Sequence, residues 1–146
     1  MPRKLSVLFL CVANSCRSQM AEGLARHFLS DTVEPFSAGT FATYVNPNAI
    51  KVMTELGIDI SHQRSKDVSE FSGQSFDVVI TVCDEGADSC PVWLGHGKKI
   101  HKGFTDPAHA VGTEDEILTA FRTTRDTMRD QLLPFIKDLT ITPDNQ

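Results

Sequence analysis

A chain of 146 residues with 40% hydrophobic content is long enough to bury one ordinary core and too short for several. Its net charge of −5 gives no general attraction for nucleic acid or an anionic membrane, so an anionic substrate would have to be held by local donors against the overall field. Four cysteines are too sparse for a secreted disulfide scaffold, no apolar run approaches a membrane span, and Met1-Pro2-Arg3-Lys4 leads straight into a strand. One domain over residues 1–146, cytoplasmic and monomeric, is expected.

In chain order, the first element is the apolar run Leu5-Ser6-Val7-Leu8-Phe9-Leu10, a strand that enters the loop Cys11-Val12-Ala13-Asn14-Ser15-Cys16-Arg17-Ser18. A helix leaves it, because Met20, Ala21, Leu24, Ala25, Phe28 and Leu29 repeat at helical spacing. Glu22 and Arg26, four apart on that helix, read as a solvated pair. Val33 to Gly39 is a second short strand, and Pro35 assigns it to an edge because proline cannot donate to a ladder. Asn46-Pro47 then supplies an N-cap and a first-turn proline, Ile50, Met53 and Leu56 a stripe, and Gly57 a stop. The polar stretch Ser61 to Phe71 carries Arg64 and Lys66, with Ser65 as the expected cap of a short helix.

Phe76 to Val82 is β-branched and apolar enough for a strand buried on both faces, and it ends at Cys83. The segment Asp84 to Pro91 has turn residues and no strong period. Lys98 to Phe104 is a weaker strand ending at Thr105-Asp106-Pro107. Thr113-Glu114-Asp115-Glu116 is a capping box for a long last helix with Ile117, Phe121, Met128, Leu132, Phe135 and Ile136 on one stripe and Pro134 inside it. Strands alternating with helices imply an α/β domain of three layers, a four-stranded parallel sheet with helices on both faces. Ligands in such sheets bind beyond the carboxyl ends of the strands, which is where Cys11, Cys83 and Asp106 would all lie.

A cysteine six positions before an arginine, between a strand and a helix, has a specific physical meaning. The backbone N–H groups of Val12, Ala13, Asn14, Ser15, Cys16, Arg17 and Ser18 can curl into a nest for a tetrahedral oxyanion, and the helix beginning near Arg17 adds the positive end of its dipole. Arg17 would offer a planar fork to two oxyanion oxygens, with Cys11 beneath as nucleophile. The nest, the dipole, Arg17 and the Ser18 hydroxyl all favour the Cys11 thiolate. Asp106, fixed by Pro107, is the candidate general acid. Cys83 and Cys90 could join in a disulfide if their segment rearranges, or be a strand-end core cysteine and a surface thiol. Cys16 reads as structural. The cysteine spacing fits no common zinc pattern and five scattered histidines complete none, so no metal is expected.

At these residues the chain resembles a known family. Cys11 to Ser18 followed by Gln19-Met20-Ala21-Glu22-Gly23 resembles the phosphate loop of low-molecular-weight protein tyrosine phosphatases, in the version used by thioredoxin-coupled arsenate reductases. The likeness extends to Asn46-Pro47 with Lys51 and Met53, to Gly57-Ile58-Asp59-Ile60-Ser61 and to Cys83 with Cys90-Pro91. It continues through Gly103-Phe104 with Asp106-Pro107 and Gly112-Thr113.

The resemblance implies the low-molecular-weight phosphatase fold, no bound cofactor, and arsenate as substrate in arsenic detoxification, with phosphate or sulfate as competing oxyanions. It implies a relay in which Cys11 attacks arsenate, Cys83 attacks Cys11 to release arsenite, Cys90 attacks Cys83, and thioredoxin reduces the Cys83–Cys90 disulfide; glutaredoxin or another thiol is the alternative reductant. Some members hold potassium beside the loop with oxygen ligands where Arg64 and Lys66 stand here, so these cations put potassium dependence in question. Tyrosine phosphatases of this kind place aromatics just after Asp-Pro, whereas Ala108-His109-Ala110 follow here, which argues against phosphotyrosine. The competing readings are a phosphomonoesterase using Cys11, Arg17 and Asp106 alone, and a non-catalytic module whose Cys83 and Cys90 switch a surface.

Overall fold

The computed structural model describes residues 3–84 and 91–141. Its strands are β1 (Leu5–Cys11), β2 (Val33–Gly39), β3 (Val78–Thr81) and β4 (Lys98–His101), and its helices are α1 (Arg17–Phe28), α2 (Pro47–Thr54) and α3 (Glu114–Ile141). The strands form one parallel sheet in the order β2-β1-β3-β4. This is the α/β fold of the low-molecular-weight phosphatase type that the sequence implies.

β1 is central because it is apolar on both sides: Val7, Leu8, Phe9 and Leu10 are all 0% exposed, and burial of side chains of this size contributes about 1.5–3 kcal/mol each. Pro35 faces Val7 on β2, and β2 is an edge strand, as its missing N–H requires. The connection through α1 leads from β1 to one side and that through α2 leads to β3 on the other. The chain therefore reverses direction across the sheet at β1, and the crevice this opens lies beyond the end of β1, where Cys11 begins its loop.

The two faces are covered unequally. Val7, Phe9, Ile80 and Val33 pack with residues of all three α-helices, among them Met20, Leu24, Met53, Phe121, Met128 and Leu132. Leu8, Leu10 and Val79 on the other face meet Phe71, Phe76 and Trp93. The expectation of α-helices on both faces is corrected here: among the described residues that layer is built from a 3₁₀ turn at Val68–Phe71 and from loop aromatics, while all three α-helices pack on the first face. Phe36, Phe71, Phe76 and Trp93 meet edge to face with ring centroids 5.2–6.0 Å apart.

The caps follow local chemistry. Asn46 accepts from the Asn48 N–H at 2.8 Å, and Gly57 takes the left-handed φ of 77° that stops the turn after α2. Thr113 and Glu116 bond reciprocally at the start of α3. The expected Ser65 cap is corrected: Asp67 caps the 3₁₀ turn by accepting from the Ser69 N–H, while the Ser65 hydroxyl donates to the Ala13 carbonyl. Arg125 joins α3 to α2 through the Val52 carbonyl and the Glu55 carboxylate, both at 2.8 Å. No helix among the described residues is long and apolar enough to cross a membrane.

Candidate active site

The loop after β1 is held open by its own carbonyls. Those of Val12, Ala13, Asn14, Ser15 and Cys16 accept respectively from the Phe41 N–H, the Thr43 and Ser65 hydroxyls, the Gln19 amide, the Asn46 N–H and the Met20 N–H. Asn14 sits in the left-handed region at φ 49°, the alternation that turns successive N–H groups to one side and makes a nest. Its backbone N and the Val12 carbonyl would each lie 2.7 Å from a Cβ at Gly39, so the absence of a side chain there lets the end of β2 back directly onto the loop. No side chain caps α1, whose first turn carries no acidic residue. An anion can therefore take the capping place.

Cys11 is a free thiol, 2% exposed, whose sulfur is 2.8 Å from the Ser18 hydroxyl. Asn14 Nδ2 donates to that hydroxyl oxygen at 2.7 Å, and toward a Cys11 thiolate, which only accepts, the hydroxyl proton points at sulfur. Arg17 is 3% exposed; one of its terminal nitrogens donates to the Phe104 carbonyl at 3.1 Å and the other lies 3.4 Å from Asp106 Oδ2. The other Asp106 oxygen accepts from the Ala108 N–H at 2.9 Å, which fixes the carboxylate at the head of a 3₁₀ turn, Pro107–His109. Residues from the loop, with Asp106, His109, Phe41 and Tyr44, line one cavity of about 350 Å³.

Cys16 lines the same cavity but is a different thiol: burial, assisted by the Asp106 carboxylate, pushes it up to about 12. It stays protonated and cannot compete as a nucleophile. Cys83 is 0% exposed in the core beneath the site. The pairing of Leu10 with Thr81 sets Val82 beside Cys11, so Cys83 follows one position beyond, in the segment that leaves β3. Cys90 lies outside the described residues. No group of three or more metal-binding side chains gathers among the described residues.

Glu22 is a correction. It is 7% exposed and accepts from Ser37 Oγ at 2.5 Å and from Arg26 at 2.8 Å, so the pair with Arg26 is an anchor between α1 and β2 rather than a solvated one. Lys66 lines the same surface recess as Glu22 and donates to the Arg64 carbonyl at 2.6 Å; burial lowers its ammonium below the ordinary lysine value. Arg64 instead points outward to a bidentate pair with Glu70.

Sequence reasoning missed Phe41 and Tyr44, 49% and 64% exposed at the cavity mouth. They come from the loop after β2, so aromatics reach the site although none follows Pro107. It also missed the amides of buried Gln19 and half-buried Gln63, which no periodicity marks.

Residues 6–140 match the family model described as low molecular weight phosphotyrosine protein phosphatase. The chain is 46% identical over 129 residues to the arsenate reductase of Bacillus subtilis, covering 88% of this chain and 93% of that one. Among solved structures it is similar to an arsenate reductase in the phosphate binding state, with a TM-score of 0.73, 33% identity and coverage of 92% and 98%. It also matches a thioredoxin-dependent arsenate reductase of Corynebacterium glutamicum, with a TM-score of 0.63, 26% identity and coverage of 92% and 63%. The loop that cups an oxyanion over Cys11 and this similarity over nearly its whole length agree: the chain belongs to the low molecular weight phosphotyrosine protein phosphatase family, among the relatives that are arsenate reductases.

Proposed function

We propose that the protein reduces arsenate to arsenite by a relay of three cysteines and is recycled by thioredoxin. The observation that carries the reading is the free Cys11 thiol, hydrogen-bonded to Ser18 at the base of a loop that ends in the buried Arg17 at a helix N-terminus. Arsenate occupies the nest, Arg17 holds two of its oxygens, and the Cys11 thiolate attacks arsenic. A sulfur–arsenic bond forms and one oxygen leaves as water, with Asp106 giving the proton.

The Cys83 thiolate then attacks Cys11 sulfur. A Cys11–Cys83 disulfide forms, the electron pair of the sulfur–arsenic bond stays on arsenic, and arsenic leaves reduced as arsenite. Cys90 attacks Cys83, freeing Cys11 as thiolate, and the thioredoxin dithiol reduces the Cys83–Cys90 disulfide. The adjacency of the β1 and β3 ends supports the second step, and the thioredoxin-dependent relative supports the reductant. Lys66 beside Glu22 supports a reading in which the positive charge that some relatives take from potassium is part of the polypeptide.

A second activity is favoured by one observation: Phe41 and Tyr44 at the mouth could hold the ring of an aryl phosphate. Cys11, Arg17 and Asp106 would suffice for it. The Cys90→Ser variant separates the two reactions. It is expected to release one arsenite per molecule and stop with a Cys11–Cys83 disulfide seen by peptide mapping, while hydrolysis of a small aryl phosphate by the reduced variant continues. Unimpaired thioredoxin-coupled turnover in Cys90→Ser would overturn the three-cysteine relay.

A further inference from the structure

The hydrogen bond between Ser18 and Cys11 is the last of a series that begins on the outer side of α1. Arg26 donates to Gln63 Oε1 at 3.1 Å, and Gln63 Nε2 donates to Gln19 Oε1 at 2.7 Å. Gln19 Nε2 donates to Asn14 Oδ1 at 2.9 Å, Asn14 Nδ2 to Ser18 Oγ at 2.7 Å, and Ser18 Oγ stands 2.8 Å from Cys11 sulfur.

The sense of each amide is fixed by a group that cannot reverse. Gln63 Nε2 also reaches the Gln19 carbonyl at 3.1 Å, and Gln19 Nε2 reaches the Asn14 and Arg64 carbonyls, each at 3.1 Å; a backbone carbonyl only accepts. Asn14 Oδ1 receives the Lys66 N–H at 2.7 Å, and a backbone N–H only donates. At the far end stands a guanidinium, which is always a donor. Neither glutamine can turn over without setting two oxygens or two N–H groups against each other.

We propose that Gln63 and Gln19 are positioning residues of a one-way relay, headed by Arg26, that commits the Ser18 hydroxyl proton to Cys11 and thereby favours the thiolate. Aligned hydrogen bonds polarise one another, and one that ends on an anion favours the anion. The relay rests on the reading of Cys11 as nucleophile. It enters from behind the loop, away from the oxyanion, so it acts before any substrate is bound. The other charged or titratable groups lining the cavity around Cys11 are Arg17, Asp106, Cys16, Tyr44 and His109, and the variants below leave them in place.

The test is alkylation of Cys11 by iodoacetamide in the reduced full-length protein, followed by peptide mapping, as the ratio of the rate at about pH 6 to that at about pH 9, on either side of an ordinary thiol's titration. Gln63→Leu removes the donor to Gln19. Gln63→Glu keeps the acceptor for Arg26 but sets a carboxylate against Gln19 Oε1. Both are expected to lower the ratio about tenfold, the effect of one pH unit in the thiol's titration. Arg26→Lys, which keeps a permanent donor, is expected to stay nearer the parent than Arg26→Met.

A merely structural role would leave the ratio unmoved. A ratio within about twofold of the parent in a folded Gln63→Glu, half of one such unit or less on a logarithmic scale, overturns the relay and leaves Cys11 as nucleophile untouched. Should Gln63→Leu fail to fold, Gln63→Glu decides. A parent protein whose Cys11 is itself inert at the lower pH overturns the nucleophile reading, and the relay with it.

Discussion

Arg17 and Lys66 show how differently two cations serve one loop. Arg17 is buried with its fork divided between the Phe104 carbonyl and the Asp106 carboxylate, so it is aimed before an oxyanion arrives. A lysine at that position keeps the charge but loses the planar pair of donors and the bond that aims it. Arg17→Lys is expected to lower kcat/KM for arsenate by about a hundredfold, the scale of removing one oxyanion donor. Both KM and kcat should move, and steady-state kinetics within a few-fold of the parent would remove Arg17 from the site. The role of Arg17 could be read in the sequence because the spacing from Cys11 carries it. That of Glu22 could not, since an i, i+4 pair looks the same whether it faces water or, as here, Ser37 on β2.

Among the elements, β2 does more than close the sheet. Its last residue, Gly39, has the loop backbone where a Cβ would be, and its N–H donates to the Lys66 carbonyl at 2.9 Å, so β2 and the 64–67 segment clamp the loop from behind. Gly39→Ala would push Val12 and Asn14 inward. A destabilisation of about 1–3 kcal/mol is expected, as for other overpacked sites. Phosphate should protect Cys11 from alkylation less well than in the parent. Unchanged protection together with an unchanged melting temperature would show that the loop yields freely.

Pro35 made the edge position of β2 legible, and the β-branched run made β3 legible. The cap at Asp67 was not, because Ser65 and Asp67 are both competent caps two residues apart. Ser65 Oγ is occupied, accepting from the Thr43 N–H at 2.8 Å and donating to the Ala13 carbonyl, which decides between them. The aromatic mouth was hidden for a similar reason, since Phe41 and Tyr44 stand in a loop whose direction is set by the Val12, Ala13 and Ser15 carbonyls rather than by any periodicity.

Across the whole molecule, the end of the sheet opposite the site is tied by Asp77, which takes two bonds from Arg3 at 2.6 and 2.7 Å and one from the Ser6 N–H at 2.8 Å. The Arg3 guanidinium, with Ser6, holds this carboxyl down at about 2. For a carboxylate lowered on folding, the unfolded chain takes up the proton first. The stabilisation is therefore complete above the ordinary value near 4 and is lost as the pH falls toward 2. Asp77→Asn should melt a few degrees below the parent at neutral pH, with the gap closing through that acidic window. A gap that does not change with pH would assign the effect to packing.

The second face of the sheet gives the protein one more property. Trp93 is the one tryptophan in the chain; it is 6% exposed, lies edge to face on Phe76, and donates from its indole to the His96 carbonyl at 3.0 Å. In sequence it stands between Cys90 and β4, on the far side of β1 and β3 from the α-helices. All indole emission therefore arises from this single place, and its wavelength reads the polarity around that ring alone. A thiol exchange that draws the flanking segment away from the aromatic cluster would shift the light to the red, whereas an oxyanion settling over α1 would leave its colour as it was. The molecule thus carries an intrinsic optical reporter, seated in the chain beside its last two cysteines and needing no label.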